Sequence, residues 1–229
     1  MSICVAVVGA GRMGSVVAKQ LPESTKKIII DIDFIKAGQL AGTVAGTPSD
    51  SLENASSADL VAVVLPTPVV NETVGRLLCI VKEGAIILNM ATTARIDAEV
   101  TKKNPTVSVI DAKIIGHAMS ISRGEPGIVV VDCNDRGLFD FIKGQLPGFH
   151  KVVQGESSRV AEINKIGSTE GIKAAVMVRK QLATLDVPDE WIDVAIRTVC
   201  AGTMKSYTEN DLGHFAIELV KKLESEDAA

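Results

Sequence analysis

Aromatic side chains are scarce in this 229-residue sequence, which holds one Trp, one Tyr and five Phe. It has no surplus of positive charge either, since 28 Asp and Glu residues outnumber 24 Lys and Arg residues. Proteins that bind nucleic acids need a cationic surface, and many add aromatic rings on which bases stack. The composition therefore predicts no nucleic-acid partner.

Cysteines and long apolar runs are also few. Cys4, Cys79, Cys133 and Cys200 stand far apart without a Cys-x-x-Cys pair, which favours reduced cytoplasmic thiols over a disulfide framework or a metal site. No apolar run approaches the roughly 18 to 20 residues of a transmembrane helix. The start, MSICVAVVGAG, lacks the basic region and cleavage site of a signal peptide. We expect a cytoplasmic protein without a membrane partner.

The distribution of apolar residues divides the chain near residue 155. Residues 3–154 alternate β-branched runs with helical stretches, the pattern of a parallel sheet covered on both faces. Beyond that point we expect a helix over 157–183, a second helix from Pro188 and a third capped by Asn210 or Asp211. The fold class predicted is α/β, with a Rossmann-type, doubly wound, mostly parallel sheet over 1–155 and a small all-helical region over 156–229.

The strands predicted within the first region are 3–9, 26–32, 60–66, 85–90, 106–111, 127–132 and 150–154. Helices are expected between them at 13–21, 34–42, 68–81, 95–103 and 135–145, the third with Thr67 as its N-cap. The segment 43–57 is rich in Gly, Ser, Thr and Pro, so we expect it to be irregular.

The first predicted strand leads directly into a glycine turn, Gly9-Ala10-Gly11-Arg12-Met13-Gly14, which opens the first helix. In a dinucleotide-binding turn the first glycine permits the bend, the second lets the pyrophosphate approach the backbone, and the third lets helix and strand pack closely. Asp31 follows at the end of the second strand, where an acidic residue accepts hydrogen bonds from ribose hydroxyls. A carboxylate there favours NAD, although the nearby cations Arg12 and Lys36 leave NADP possible.

Two later passages, SSADLVAVVLPTPVVNETV and ILNMATTARID, carry a family resemblance that extends over about residues 3–170. The chain resembles the superfamily of 6-phosphogluconate dehydrogenase, β-hydroxyacid dehydrogenases, prephenate dehydrogenase and pyrroline-5-carboxylate reductase. The resemblance implies that Leu65, Pro66 and Thr67 lie in a cofactor loop. It also implies that the loop holding Thr92 and Thr93 approaches the nicotinamide and the substrate.

The passage VIDAKIIGHAMSISRGEPGIVVVD supplies the candidates for proton transfer and substrate binding. Its Gly-His-Ala-Met, with His117, is similar to the Gly-x-His-Pro-Met of prephenate and arogenate dehydrogenases, without the proline. A histidine there could exchange a proton as hydride moves, or it could be a histidine without a task. Lys113 and Arg123 are expected to be loop cations, either binding a substrate carboxylate or simply solvated.

At the head of the long helix the resembling enzymes carry a catalytic lysine and, four residues later, an asparagine. Here these positions hold Val160 and Asn164. Lys165 points about 100° away from Asn164 around the helix and cannot take over the lysine's role. Asn164 is therefore a candidate for orienting the substrate, and Gly167-Ser168-Thr169 either approach it or allow tight helix packing.

The function predicted is an NAD(P)-dependent oxidoreductase. It would transfer a hydride between a nicotinamide and a small carboxylate-bearing substrate, an alcohol/ketone or amine/imine pair. The alternative is a cofactor-binding sensor or regulatory protein without turnover, since the catalytic lysine is missing. A deazaflavin-linked NADP reductase is less favoured because of Asp31. A homodimer through the C-terminal helices is expected, because three helices have too little core of their own.

Overall fold

An eight-stranded sheet organises the first part of the chain in the computed structural model, which describes residues 2–226. Along the sheet the strands follow the order β3-β2-β1-β4-β5-β6-β7-β8. Neighbouring strands are parallel except β6 and β7, which are antiparallel. The strands are β1 (Cys4–Val8), β2 (Lys26–Ile30), β3 (Thr47–Ser49), β4 (Leu60–Val63), β5 (Ile86–Asn89), β6 (Ser108–Ile115), β7 (Ile128–Val131) and β8 (Lys151–Gln154).

The central strands are apolar throughout because both faces of the sheet are covered. All five residues of β1 are buried, and they alternate between two hydrophobic clusters. Val5 and Val7 belong to one cluster, whereas Ala6 and Val8 belong to the other. Side chains that alternate between two cores need apolar residues at every position, and this is why β1 reads as an unbroken apolar run.

Helices pack against both faces of the sheet. One cluster takes buried residues from α1, α2, α5 and α6, and the other takes them from α3. This two-sided arrangement confirms the predicted doubly wound α/β class. The helices are α1 (Arg12–Gln20), α2 (Phe34–Val44), α3 (Thr67–Leu77), α4 (Ala98–Thr101), α5 (Ala118–Ser122) and α6 (Arg136–Gln145), with a 3₁₀ turn at Leu52–Ala55.

Two strands differ most from the sequence-based prediction. The segment 43–57 contains the short edge strand β3, whose Pro48 is tolerated because an edge strand leaves one side of its backbone unpaired. Strand β6 continues to Ile115, four residues past its predicted end at 111. The parallel pairing with β5 stops at Asp111, but antiparallel pairing with β7 takes over from Ala112. No glycine or proline marks the point at which β6 changes partners. The sequence alone therefore does not show that the strand continues past residue 111.

The C-terminal part is helical in every described element. Contacts divide the chain into two compact units between Asn164 and Lys165, within α7, which leaves the first turns of that helix with the sheet. No described helix has the length and apolar character needed to cross a membrane. The elements are α7 (Ser158–Ala183), α8 (Asp189–Val194), a π-helical segment (Ala195–Cys200), α9 (Ala201–Glu209) and α10 (His214–Glu226).

The packing of α1 on β1 predicts that Gly14→Ala destabilises the sheet unit. A Cβ at position 14 would stand 1.8 Å from the Gly9 carbonyl oxygen, so the helix would have to move away from the strand. Overpacking of this kind costs about 1–3 kcal/mol or more. We expect a lower urea midpoint by circular dichroism.

Gly42→Ala is the matched control for this experiment. Gly42 lies on the exposed side of α2, and a Cβ there meets nothing within 4 Å. Its midpoint should stay the same or rise, since alanine favours the helix by about 1 kcal/mol over glycine. Equal midpoints for Gly14→Ala and the parent protein would contradict the close approach.

Candidate functional site

The loops that carry the predicted cofactor residues share the carboxyl edge of the parallel strands. Strand β1 pairs with β2 on one side and with β4 on the other, so the chain winds outward from β1 in two directions. The strand order thus reverses at β1, and α1 and α3, which follow β1 and β4, pack on opposite faces of the sheet. In open α/β sheets, ligands bind at such a point, outside the carboxyl ends of the strands.

The glycine turn after β1 contains two glycines that the fold itself requires. Gly9 has φ +107°, a conformation that other residues rarely adopt, and a Cβ there would stand 2.4 Å from the Val64 carbonyl oxygen. Gly14 makes the close contact with Gly9 described above. Both glycines are therefore explained by the packing of β1, α1 and the loop after β4.

Gly11 differs from Gly9 and Gly14, because neither its backbone conformation nor its packing requires a glycine. Its φ is −72°, and a Cβ at this position would meet nothing within 4 Å. It precedes α1, whose N-terminus has no side-chain cap and no acidic residue in its first turn. An uncapped helix N-terminus facing open space suits the oxygens of a pyrophosphate, for which a bare backbone allows close approach.

Asp31, at the end of β2, is bound to the glycine turn. One of its carboxylate oxygens accepts a hydrogen bond from the Ala10 amide at 2.7 Å, and the other accepts one from the Asp33 amide at 2.9 Å. An ionised carboxylate has about four acceptor positions, so it can accept further hydrogen bonds from ribose hydroxyls. Asp31 thus fixes the turn and remains half-exposed beside it.

Arg12 and Lys36, the two cations that leave NADP possible as the cofactor, differ in their surroundings. The ammonium of Lys36 lies 3.1 Å from a carboxylate oxygen of Asp33. The hydrogen bond with Lys36 lowers the pKa of Asp33, so the two form a pair of opposite charges. Arg12 is exposed at the first position of α1. Only Arg12 therefore stands at the turn without such a pairing to a neighbouring carboxylate in the described structure.

The loops after β4 and β5 meet through their threonines. Leu65 lies against Gly9. Helix α3 begins at Thr67, directly after Pro66, whereas the sequence predicted Thr67 as the N-cap before the helix. The hydroxyl of Thr67 lies 2.6 Å from that of Thr93. Thr92 is exposed beside it. The structure thus brings together the two loops that the resemblance placed along the cofactor.

Lys113 does not lie in a loop as expected, and its predicted role in binding a substrate carboxylate stays a prediction. The antiparallel pairing with β7 extends β6 through this residue, and its side chain is 3% exposed. Its ammonium donates to the carbonyls of Ala91 and Ala94 at 2.6 and 2.9 Å, and it lies 3.3 Å from a carboxylate oxygen of Asp111. Burial lowers the pKa of Lys113, although Asp111 opposes this shift.

Asn164 and His117 are brought to the same end of β6. The Asn164 amide donates to the Ile114 carbonyl at 2.8 Å and accepts from the Gly116 amide at 3.3 Å. His117 follows directly and is exposed, with its Nδ1 3.4 Å from the Ser120 hydroxyl. Asn164 therefore fixes the backbone that carries His117.

Val160 and Arg123 are also singled out in the sequence. Val160, at the position of the lysine, is 1% exposed. Arg123 directly follows α5 and is exposed. Its predicted role in substrate binding stays a prediction.

Sequence reasoning missed Asn89, the last residue of β5, which is fully buried. Its amide nitrogen donates to the Ala94 carbonyl at 3.0 Å and to an Asp111 carboxylate oxygen at 2.7 Å. Its amide oxygen accepts from the Ala91 amide at 3.3 Å. The signal available was a polar residue that ends an apolar run at the carboxyl edge.

Comparison with a protein family links the sheet unit to known cofactor-binding domains. The sequence model of the family described as "NAD binding domain of 6-phosphogluconate dehydrogenase" matches residues 4–130, more than half of the chain. The match spans the glycine turn, Asp31 and the loops after β4 and β5. A comparison with curated proteins finds no match.

Solved structures with a similar fold include three reductases and dehydrogenases. Pyrroline-5-carboxylate reductase from Coxiella burnetii gives a TM-score of 0.71 at 12% identity over 96% of this chain and 84% of that chain. 3-Hydroxyisobutyrate dehydrogenase from Salmonella typhimurium gives 0.70 at 20% identity over 92% and 80%. Imine reductase from Pseudomonas sp. gives 0.64 at 17% identity over 100% and 86%. At these identities the likeness establishes the fold.

The open space at Gly11 predicts that Gly11→Ala keeps the fold and loses the cofactor. The added methyl group meets no protein atom within 4 Å, so the urea midpoint should not change. It would occupy the space into which the pyrophosphate must move, and we expect NADH affinity to fall at least about tenfold. Titration of NADH fluorescence measures this.

Gly42→Ala serves as the control for binding as it does for stability. Its affinity for NADH should match that of the parent protein, since α2 carries Gly42 well past the turn. If Gly11→Ala bound NADH as tightly as the parent protein, the pyrophosphate could not lie at this turn.

Proposed function

The chain belongs to the family of the NAD-binding domain of 6-phosphogluconate dehydrogenase, and from this premise we propose its reaction. The protein transfers a hydride between a nicotinamide cofactor and a small substrate that bears a carboxylate. The reacting group of that substrate is an alcohol/ketone or an amine/imine pair. The observation that carries the proposal is the glycine turn between β1 and β4, where the strand order reverses, with Gly11 open and Asp31 bound to the turn.

Family membership confirms the resemblance seen in the sequence and the NAD(P) cofactor. It also confirms the general class, an NAD(P)-dependent dehydrogenase or reductase, with the subclass left open. The substrate, the residues that act on it and the assembly of the protein are proposals.

The charges near the turn support NAD as the cofactor rather than NADP. Asp31 accepts from the Ala10 amide, so its carboxylate is held beside the glycine turn. A ribose 2′-hydroxyl can donate to that carboxylate, whereas a 2′-phosphate would be repelled by it. Lys36 is paired with Asp33, so only Arg12 remains to offset the repulsion.

His117 is the group we assign to proton transfer. It is exposed at the carboxyl end of β6, and α5, which follows it, lies against α1. An imidazole there can take a proton from an alcohol or amine as hydride leaves, or return one in the reverse direction. Asn164 orients this end of the strand through its two backbone hydrogen bonds.

This role predicts that His117→Ala lowers turnover and leaves cofactor binding intact. General acid–base catalysis contributes about 10²–10⁴-fold, so kcat should fall within that range. The assay follows NADH absorbance with a panel of hydroxy acids, keto acids and cyclic imines. NADH affinity should not change, because the side chain would face the substrate.

His150→Ala is the matched control, since His150 is also an exposed histidine of the sheet unit. Its kcat should equal that of the parent protein. An unchanged kcat in His117→Ala would remove the histidine from the mechanism.

A cofactor-binding sensor without turnover is the second candidate. It is favoured by Val160, which places a buried aliphatic side chain where the resembling enzymes carry a lysine. Such a protein would bind NADH and turn over no member of the panel. The same assay therefore separates the two candidates.

We infer a homodimer from the C-terminal unit. Of the apolar side chains in its described residues, 165–226, only that of Ile192 is buried. Helices that bury so little of their apolar surface alone need a partner, and a second copy presents the same surface. The exposed apolar residues are Ile166, Ile172, Val176, Met177, Leu185, Trp191, Val194, Val199, Met204, Tyr207, Phe215, Ile217, Leu219 and Leu223.

Light scattering at micromolar concentration should give twice the 24.1 kDa mass of one chain. Phe215→Glu places a charge on this surface, where Phe215 is 79% exposed, and should shift the mass toward that of one chain. Val69→Glu is the control, because Val69 is an exposed apolar residue of the sheet unit. A monomeric parent protein would contradict the dimer.

The cysteines favour the cytoplasm as the site of action. All four are free thiols, and Cys4 and Cys133 are buried. Free thiols persist in reducing compartments, whereas secreted proteins tend to pair them. We therefore place the protein in the cytoplasm.

A further inference from the structure

A buried polar network joins the carboxyl end of β5 to the middle of β6. Asn89 is fully buried, Lys113 is 3% exposed, and the half-buried Asp111 lies between them. The adjoining strand residues Leu88 and Ile114 are apolar and buried. Polar groups in such surroundings are costly unless each of them has a partner, so their partners indicate what the network does.

The ammonium of Lys113 has three partners, two through hydrogen bonds and one through an ion pair. Two of these partners are the carbonyls of Ala91 and Ala94, at 2.6 and 2.9 Å, and the third is a carboxylate oxygen of Asp111 at 3.3 Å. Both carbonyls belong to the loop that joins β5 to α4, residues 90–97. A single side chain from β6 thus binds this loop at two points, three residues apart.

Asn89 binds the same two loop residues, Ala91 and Ala94. Its amide nitrogen shares the Ala94 carbonyl with Lys113, and its amide oxygen accepts from the Ala91 amide. The two residues between these points, Thr92 and Thr93, are exposed. The hydroxyl of Thr93 lies 2.6 Å from that of Thr67, the first residue of α3. The network therefore fixes the backbone on both sides of an exposed pair of threonines.

An apolar side chain is the usual occupant of a buried sheet position such as 113. Burying the charge costs free energy, and the pKa of Lys113 is lowered by that burial. Replacing both members of a buried charge pair by apolar residues of similar volume is often neutral or stabilising, whereas removing one member alone is destabilising because the other is left unpaired. Methionine would fill a similar space, so the lysine is better explained by the loop that it holds than by the core in which it lies.

We propose that Lys113 is a positioning residue that holds Thr92 and Thr93 at the nicotinamide half of the bound cofactor. The inference rests on the proposed function, in which a dinucleotide lies along the carboxyl edge. The remainder of the loop is fixed independently, because Asn71 donates to the Arg95 carbonyl and accepts from the Asp97 amide. Loss of Lys113 should therefore loosen the threonine pair and leave α4 in place.

The test compares NADH with ADP-ribose, which contains the adenine and pyrophosphate but lacks the nicotinamide ring. In Lys113→Met the affinity for ADP-ribose should match that of the parent protein, because the glycine turn and Asp31 are untouched. The affinity for NADH should fall at least about tenfold, since small displacements of positioning groups carry penalties of that order or larger. The readout is therefore the affinity for NADH divided by the affinity for ADP-ribose, which should be lower in Lys113→Met than in the parent protein.

Lys27→Met is the matched control. Lys27 is also a buried lysine of the sheet, 7% exposed in β2, with its ammonium 3.5 Å from the Thr25 carbonyl oxygen. It lies away from the β5–α4 loop, so its affinity ratio should equal that of the parent protein. A lower ratio in both variants would mean that loss of any buried lysine has this effect, and would overturn the specific role of Lys113.

Two further measurements keep the inference testable if Lys113→Met does not fold. Lys113→Gln retains an amide that can donate to one carbonyl, and its ratio should lie between those of the Met variant and the parent protein. In the parent protein, NADH should slow amide hydrogen exchange over residues 90–97 more than ADP-ribose does. Equal ratios in all variants, or equal protection by both ligands, would overturn the proposal.

These readouts are separate from turnover. A protein that binds NADH through this loop but turns over no substrate would defeat the proposed reaction and support the role of Lys113. If the protein turns over a substrate but Lys113→Met leaves the affinity ratio unchanged, the proposed reaction is supported and the role of Lys113 is contradicted.

Discussion

The contact between Gly14 and the Gly9 carbonyl sets the geometry on which the site depends. A Cβ at position 14 would stand 1.8 Å from that oxygen, and one at position 9 would stand 2.4 Å from the Val64 carbonyl oxygen. Because neither is present, only three residues join β1 to α1, and the loop after β4 packs against the turn. The N-terminus of α1 is thereby placed at the point where the strand order reverses. A helix held farther from the strand could not present its amides at that point.

Three segments at the carboxyl edge of the sheet are each bound by a polar side chain from a neighbouring element. Asp31 of the β2 end binds the glycine turn, Lys113 of β6 binds the β5–α4 loop, and Asn164 of α7 binds the end of β6. All three act on backbone groups rather than on one another. The loops can therefore carry small residues, such as Gly11 and Thr92, that leave room for a ligand. Rigid placement with open space is what cofactor binding requires.

The apolar periodicity of the sequence was sufficient to predict the doubly wound sheet, and the glycine turn with Asp31 was sufficient to predict the cofactor. Both depend on local patterns that fix local structure. The length of β6 could not be predicted, because its second half depends on pairing with β7, which lies farther along the chain. The error at Lys113 has the same origin, since a lysine between Ala112 and Ile114 reads as a loop residue unless its strand partner is known. Asn89 was missed because its partners lie across the sheet and beyond its own strand.

The central claim is that the carboxyl edge of the sheet binds one nicotinamide dinucleotide, with NAD preferred through Asp31. It is tested most directly by equilibrium titration of the parent protein with NADH and with NADPH, following cofactor fluorescence. The account predicts saturation at one NADH per chain and weaker binding of NADPH. An absence of saturable NADH binding would contradict the account, and tighter binding of NADPH would contradict the role given to Asp31.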